Sequence, residues 1–217
     1  MNIALRFLVF CLLLLMAACS LVGGGSKAGQ SIHSPLPVQS PAADTDWPVV
    51  TWQLAIAKPA SERLLDTTRI AVRPQANELQ VYRGAVWTMP PTELVETSVL
   101  RVLEDAHRLP GVARSSSGLR ADYRLVMDVR RFEADYAGQD LPTATIEVTA
   151  KLLHSQTQRV VAAHTFTQQQ RAQGTALVHV VPAFEMALGQ LSHAVAGWVL
   201  QAGQQDRTLM QDSTGHR

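Results

Sequence analysis

Apolar and polar residues alternate along three segments in the second half of the chain, which predicts three long β-strands. The clearest alternation covers residues 144–152, and a second one covers residues 159–167. Residues 123–136 also alternate, but the apolar positions change parity at Arg130-Arg131, which predicts a β-bulge there. Strict alternation of this kind indicates an antiparallel sheet with one face in solvent.

Two other segments carry apolar residues at every third or fourth position, which predicts amphipathic helices. The first begins near Pro91 and ends before Pro110-Gly111, and the second covers residues 181–200. Short apolar runs before the first helix predict further strands at residues 49–57, 68–73, 79–82 and 85–88, with a turn at Arg83-Gly84. The order indicates an α+β fold: a single domain with a mainly antiparallel sheet and two helices packed on one face.

The N-terminus has the three zones of a secretory signal peptide. Arg6 precedes an apolar run, residues 7–16, and the small residues Ala17 and Ala18 follow. The apolar run has about ten residues, fewer than the roughly 20 that a membrane-spanning helix needs. We therefore predict that residues 1–18 are a signal peptide and are removed.

The cleavage site, Met-Ala-Ala-Cys at residues 16–19, resembles the lipobox of bacterial lipoproteins. This resemblance implies that Cys19 carries a diacylglycerol thioether and, on its new amine, a fatty acid such as palmitate. The alternative is an ordinary signal peptide in which the cysteine has no role. Ser20 follows the cysteine, and in Gram-negative sorting a serine there implies the periplasmic face of the cell envelope, at the inner leaflet of the outer membrane.

Composition divides the remaining chain into three parts. Residues 19–46 are rich in glycine, serine, proline and alanine, which predicts a lipidated N-terminus followed by a flexible tether. Residues 47–203 contain the predicted strands and helices and form the expected α+β domain. Residues 204–217 are mostly polar and follow a glycine, which predicts a disordered tail.

Motifs for catalysis, cofactors or metals are not found. The chain lacks a nucleophile elbow, a phosphate-binding loop and a zinc-binding helix, so we predict no catalytic residue, no cofactor and no metal. His164 falls on an apolar strand face, where a histidine in the core or at its rim is the simpler interpretation. Glu133 and Asp135 flank the expected bulge and could form a pair. The net charge is only +1, which gives no basic footprint for nucleic acid.

One short segment has the composition of a protein interface. Tyr82, Arg83 and Trp87 lie close together before the first helix, and aromatic and arginine side chains are enriched at binding hot spots. We therefore name these three residues as a hypothetical partner interface. The alternative is that Tyr82 and Trp87 fill the edge of the core.

Several segments, taken in order, resemble the auxiliary lipoprotein of ABC-type transport systems, the family of the paraquat-inducible operon lipoprotein. The resemblance extends from Trp47 to about Gly203, and the chain departs from the family pattern at Trp52, where a tyrosine is expected. The segments are LDTTRIAVRP at residues 65–74, LQVYRGAVW at 79–87, LEDA at 103–106, ADYRL at 121–125, FEADY at 132–136 and PAFE at 182–185.

The resemblance implies a non-catalytic role in the cell envelope. Such lipoproteins accompany an ABC permease, its ATPase and a periplasmic mammalian-cell-entry (MCE) domain protein that moves lipids or other hydrophobic molecules. The resemblance implies docking of that assembly to the outer membrane, with a homo-oligomer ring as one arrangement. A second hypothesis is an assembly subunit of another outer-membrane machine, and a third is a periplasmic hydrolase.

Overall fold

The computed structural model describes residues 29–37 and 42–215, with side chains as far as residue 212. The predicted signal peptide and Cys19 lie outside the described residues. The elements are β1 Ser31–His33, β2 Leu54–Ile56, β3 Ala60–Ser61, β4 Arg69–Gln75, β5 Glu78–Trp87, α1 Pro91–Ala106, β6 Val112–Arg114, a 3-10 turn Ser115–Ser117, β7 Tyr123–Asp135, β8 Thr143–His154, β9 Val160–Arg171 and α2 Leu177–Gly215.

Strands β7, β8 and β9 form an antiparallel meander that makes up the larger part of the sheet. The alternation predicted for β8 is confirmed, because its apolar side chains from Ala144 to Leu152 are at most 1% exposed. The predicted bulge is also confirmed, since the pairing of β7 with β8 shifts register between Val129 and Arg131. The opposite face of the sheet is largely polar, as an exposed face requires.

The strands that pair with the other edge of β7 run parallel to it, which the sequence pattern did not predict. Strands β2, β3 and β4 pair in succession with the beginning, middle and end of β7, all in its direction. The chain between residues 54 and 73 therefore runs alongside β7 in three steps. Strand β5 then turns back antiparallel on β4, while β1 and β6 add parallel strands at the outer edges. The fold is the expected single α+β domain with two helices and a sheet that is antiparallel in its longest pairings.

Helix α1 begins at Pro91, where proline lacks only an amide hydrogen that the first turn does not use. Its buried face contains most of the apolar positions from which it was predicted. The helix ends at His107, whose left-handed backbone (φ 51°) stops the α-helical pattern. Across the core, Ser192 of α2 donates a hydrogen bond to Ser98 of α1 at 2.7 Å, and both hydroxyls are buried.

Helix α2 is longer than predicted at both ends. The apolar spacing suggested a start near Val181, but the helix begins at Leu177 and contains Pro182. The predicted disordered tail is wrong for residues 204–215, which continue the helix. Gly203 suggested a helix end, but it serves another purpose: a Cβ there would lie 2.4 Å from Cζ2 of Trp52. Glycine is required at this position because the indole packs directly against the helix backbone.

The predicted tether also needs correction, since ordered structure begins before Trp47. Residues 31–33 form β1, which pairs with β5, and the chain from Ser31 onward forms one compact unit. Trp47 is itself 4% exposed and packs against Gly197, where a Cβ would lie 2.7 Å from the indole nitrogen. A strand of only three residues can form when an existing edge supplies the hydrogen bonds, so composition alone missed β1.

The core lies between the inner face of the sheet and the two helices. Its aromatic centre consists of Trp87, Phe132 and Phe184, with ring centroids 5.0–5.9 Å apart. A second aromatic pair, Trp52 and Tyr123, has centroids 4.9 Å apart and lies beneath the later turns of α2. Burial of these large rings provides much of the apolar area that stabilises a domain of this size.

Candidate functional surfaces

The predicted interface segment lies on a large β-bulge in β5, and not at a turn between two strands. Val81 pairs with Ala71 and Val86 pairs with Arg69, so residues 82–85 of β5 lie opposite Ile70 alone. Gly84 makes this possible with a left-handed backbone (φ 69°). Bulges commonly redirect a side chain, and here Arg83 is exposed at the crest of the bulge.

The three interface residues do not share one surface. Trp87 is 1% exposed and belongs to the aromatic centre, so a partner cannot contact its side chain in this conformation. Tyr82 is half-buried, and burial raises the pKa of its phenol above the ordinary value of 10.0. The alternation of strand residues explains this outcome, because Trp87 falls on the inner side of β5.

Strand β1 lies directly beside the bulge and adds an apolar residue to it. Ser31 donates its hydroxyl hydrogen to the carbonyl of Gly84 at 3.2 Å, and Ile32 is 69% exposed. We call the set Ile32, Tyr82 and Arg83 the bulge surface, in which Ile32 and Arg83 are exposed and Tyr82 is half-buried. It combines an aliphatic, an aromatic and a guanidinium group, a composition that suits protein contact. Sequence reasoning missed Ile32 because it lies in the segment assigned to the tether.

The acidic residues beside the β7 bulge form an ion-pair network and not a carboxylate pair. Glu133 is 2% exposed and accepts hydrogen bonds from Nε of Arg73 at 2.8 Å and from Nε of Arg131 at 2.7 Å. Arg131 also donates to Asp135. The hydrogen bond that Arg73 donates to Glu133 raises the pKa of the Arg73 guanidinium. The two arginines compensate the buried charge and join β4 to β7, which is a structural role.

A second buried carboxylate holds the end of α2 on the sheet. Asp206 is 6% exposed and accepts hydrogen bonds from the Tyr123 hydroxyl at 3.0 Å and from the Arg159 guanidinium at 2.5 Å. Burial and the Asp206 carboxylate together raise the pKa of the Tyr123 phenol above 10.0. Next to it, Arg207 lies 3.7 Å from Asp122. These polar contacts explain why residues that look like a tail are part of the domain.

One open groove lies between α1 and the strand β6, with a volume of about 530 Å³. Glu96 is 6% exposed on its wall, and burial raises the pKa of the carboxyl despite Arg114 at 3.4 Å. Arg114 also donates to the Thr97 hydroxyl at 2.9 Å. The groove has charges of both signs, and Arg114 contacts both Glu96 and Thr97 of α1.

Histidines of the described residues do not come together into a ligand set. His164, expected at the core or its rim, is exposed on β9 and packs its ring edge against Phe166, with centroids 4.6 Å apart. Within residues 29–37 and 42–215, no three histidine, cysteine or acidic side chains are placed to hold a metal ion. In the same part of the chain, neither helix combines the length and the apolar character that a membrane crossing requires.

These features define a class of protein. The domain offers exposed surfaces, a bulged strand and shallow grooves, while its buried carboxylates are occupied by structural arginines and a tyrosine. The class is therefore a single α+β domain whose buried carboxylates have structural partners.

Comparison with known proteins identifies the family. The profile of the family described as ABC-type transport auxiliary lipoprotein component matches residues 35–196, and the chain belongs to this family. The resemblance inferred from the sequence is therefore confirmed. Membership of a lipoprotein family indicates a location in the cell envelope, and this family is not a known enzyme family.

Two relatives extend the comparison. Protein XCC0632 from Xanthomonas campestris has a crystal structure similar to this chain, with 48% identity and a TM-score of 0.77; the match covers 82% of this chain and 99% of that one. Uncharacterized protein bll6063 from Bradyrhizobium diazoefficiens is 24% identical over 184 residues. That match covers 84% of this chain but 48% of the relative, so this chain spans about half the length of the curated protein it matches.

Proposed function

We propose that this chain is a non-catalytic adaptor of an ABC-type transport system that moves lipids or other hydrophobic molecules across the cell envelope. Its partners would be a periplasmic MCE-domain protein with the ABC permease and ATPase. The observation that carries the proposal is the family match over residues 35–196, together with the lipobox at residues 16–19. An adaptor needs a stable fold and an accessible surface, and it needs no reactive group.

The anchor in this proposal is lipid on Cys19, at the inner leaflet of the outer membrane. Two membrane-binding features, such as two acyl chains, suffice for stable anchoring, and a cysteine residue with three acyl chains exceeds that requirement. Metabolic labelling with an alkyne palmitate tests this directly. We expect label in the wild type and in Cys11→Ser, since Cys11 lies in the removed segment, and no label in Cys19→Ser. Equal labelling of Cys19→Ser would contradict the anchor.

The partner is tested by co-purification. The tagged full-length protein is captured from envelopes solubilised in a mild detergent, and its companions are identified by mass spectrometry. We expect an MCE-domain protein with its permease and ATPase. Reproducible capture of an outer-membrane barrel or a secretion component, without an MCE-domain protein, would refute the transport role and leave the family membership unchanged.

The bulge surface is our proposed contact with that partner. Ile32 and Arg83 are exposed and Tyr82 is half-buried, whereas Trp87 is excluded by its burial. Arg83→Ala should reduce capture of the partner at an unchanged melting temperature. Arg101→Ala, an exposed arginine on α1, is the matched control. Equal capture by the two variants would remove the bulge surface from the proposal.

A further inference from the structure

A groove beside the start of β7 is lined by three arginines, whose donors are only partly used by contacts within the protein. Three segments meet there: the loop that leads into β7, the turn between β8 and β9, and the late turns of α2. The groove has a volume of about 550 Å³, enough for a small polar group, and it is open to solvent. Its charged or titratable lining residues are Arg120, Asp122, Arg124, His154 and Arg207.

The single carboxylate of the groove is already engaged. Oδ2 of Asp122 accepts the backbone N–H of Gln53 at 2.9 Å, and Oδ1 lies 3.7 Å from Arg207. Arg120 and Arg124 therefore have no carboxylate within ion-pair distance among the described residues. The groove has a net charge of about +2 with His154 neutral, although the whole chain is nearly neutral.

Arg124 provides the most specific observation. One terminal nitrogen donates to Oε1 of Gln158 at 2.7 Å, but its Nε–H is buried and has no hydrogen-bond partner. A buried donor without an acceptor is costly, and natural proteins rarely leave one without a reason. The guanidinium of Arg124 therefore has hydrogen-bonding capacity that its contacts among the described residues leave unused.

His154 is a further lining residue of the groove with a ring N–H. Its Nδ1 accepts the backbone N–H of Thr157 at 3.4 Å and lies 3.2 Å from the hydroxyl of that residue. Because Nδ1 is the acceptor, the ring proton of the neutral imidazole belongs on Nε2. The groove thus offers guanidinium and imidazole N–H groups together with the hydroxyl of Ser155.

From this arrangement we infer that the groove binds a phosphate group carried on a small polar molecule. Guanidinium groups match the oxygens of phosphate in geometry and charge, and the pair forms charge-assisted hydrogen bonds. The phosphate can come from a lipid headgroup or from a soluble phosphate ester, since the chemistry recognised is the same. The inference rests on the groove alone and does not depend on the proposed transport role.

Calorimetric titration of the full-length protein in a neutral maltoside detergent tests the inference. The probes are inorganic phosphate, glycerol 3-phosphate and a short-chain phosphatidylglycerol below its micelle concentration. We expect saturable binding of glycerol 3-phosphate that weakens with added salt. Arg120→Gln and Arg124→Gln should each weaken it about tenfold, the effect of losing one charge-assisted hydrogen bond. Arg101→Gln, outside the groove, should leave it unchanged.

The same titration distinguishes the two sources of phosphate. Competition by the short-chain lipid identifies a headgroup, whereas binding of glycerol 3-phosphate without such competition identifies a soluble ester. Either result supports the phosphate site. The inference is overturned if none of the three probes binds saturably, or if the Arg120→Gln variant, which is exposed and retains the fold, binds as tightly as the wild type.

Discussion

The two halves of helix α2 are held on the sheet by different forces. Residues 183–200 bury an apolar stripe, in which Phe184, Leu188, Leu191, Val195 and Val199 are fully buried. Residues 201–212 bury few large apolar side chains, and they are fixed by the close approach of Trp52 to Gly203 and by the buried Asp206. One continuous helix is thus half core element and half polar anchor.

The difference shows what each kind of contact contributes. The stabilisation from apolar burial scales with the buried area and depends little on the position of any single atom, so several residues share it. The polar anchor depends on single atoms, because one carboxylate receives both the tyrosine and the arginine. The first half should therefore dominate global stability, while the second should respond sharply to single substitutions.

The largest expected effect is in the apolar half. Phe184→Ala removes a ring that packs on Trp87 and Phe132, and large-to-small changes at such sites cost about 3–5 kcal/mol of unfolding free energy. Met186→Ala, on the same helix but 53% exposed, should change it by less than about 0.5 kcal/mol. Urea unfolding measures both, and similar losses would contradict the assignment of the core.

Asp206→Ala should have the next largest effect. It leaves the buried Tyr123 hydroxyl without its acceptor and removes the partner of the half-exposed Arg159 guanidinium, and we expect a loss of roughly 2–3 kcal/mol. A double-mutant cycle with Tyr123→Phe measures the coupling between the two groups. Strictly additive losses would mean that the hydrogen bond does not stabilise the fold.

Gly203→Ala should cost less, about 1–2 kcal/mol. A Cβ at 2.4 Å from the Trp52 indole forces overpacking, which the better helix propensity of alanine offsets only in part. Trp52→Phe removes the indole atoms that a Cβ would meet, so the alanine should be less costly in that background. An equal cost in both backgrounds, measured by urea unfolding, would exclude the close approach as the cause.

The smallest effect appears only in alkaline solution. The pKa of Tyr123 is raised above 10.0 in the folded chain by burial and by Asp206, so folding favours the neutral phenol. The contribution of the neutral Tyr123 phenol to the stability of the fold is complete below pH 10. It is lost as the pH rises toward the folded pKa, because the phenol ionises first in the unfolded chain. Tyr123→Phe should flatten the decline of melting temperature above pH 10. An identical decline in both proteins would show that another group is responsible.

The same contrast explains how far the sequence allowed prediction. Apolar periodicity predicted the three long strands, both helices and the bulge at Arg130, because burial imposes a repeat on the residues. It did not predict β1 or the parallel pairing of β2, β3 and β4 with β7, which depends on backbone pairing between distant segments. The anchor at Asp206 has no local signal, since its partners Tyr123 and Arg159 are far away in sequence.

The candidate surfaces follow the same rule. Composition drew attention to residues 82–87, but only the register of β5 separates the exposed Arg83 from the buried Trp87. The phosphate groove combines residues from three distant segments, so no motif marks it. Cys19 is the opposite case, because a lipobox is a local signal that depends on four consecutive residues.

Hydrogen exchange along α2 tests the central claim, that its late turns are a docked part of the domain. The measurement follows amides of residues 201–212 and of residues 183–200 in the full-length protein and in Asp206→Ala. We expect protection of both halves in the wild type, and a selective loss in residues 201–212 of the variant. Rapid, unprotected exchange of residues 201–212 in the wild type would contradict the polar anchor and restore the interpretation of these residues as a tail.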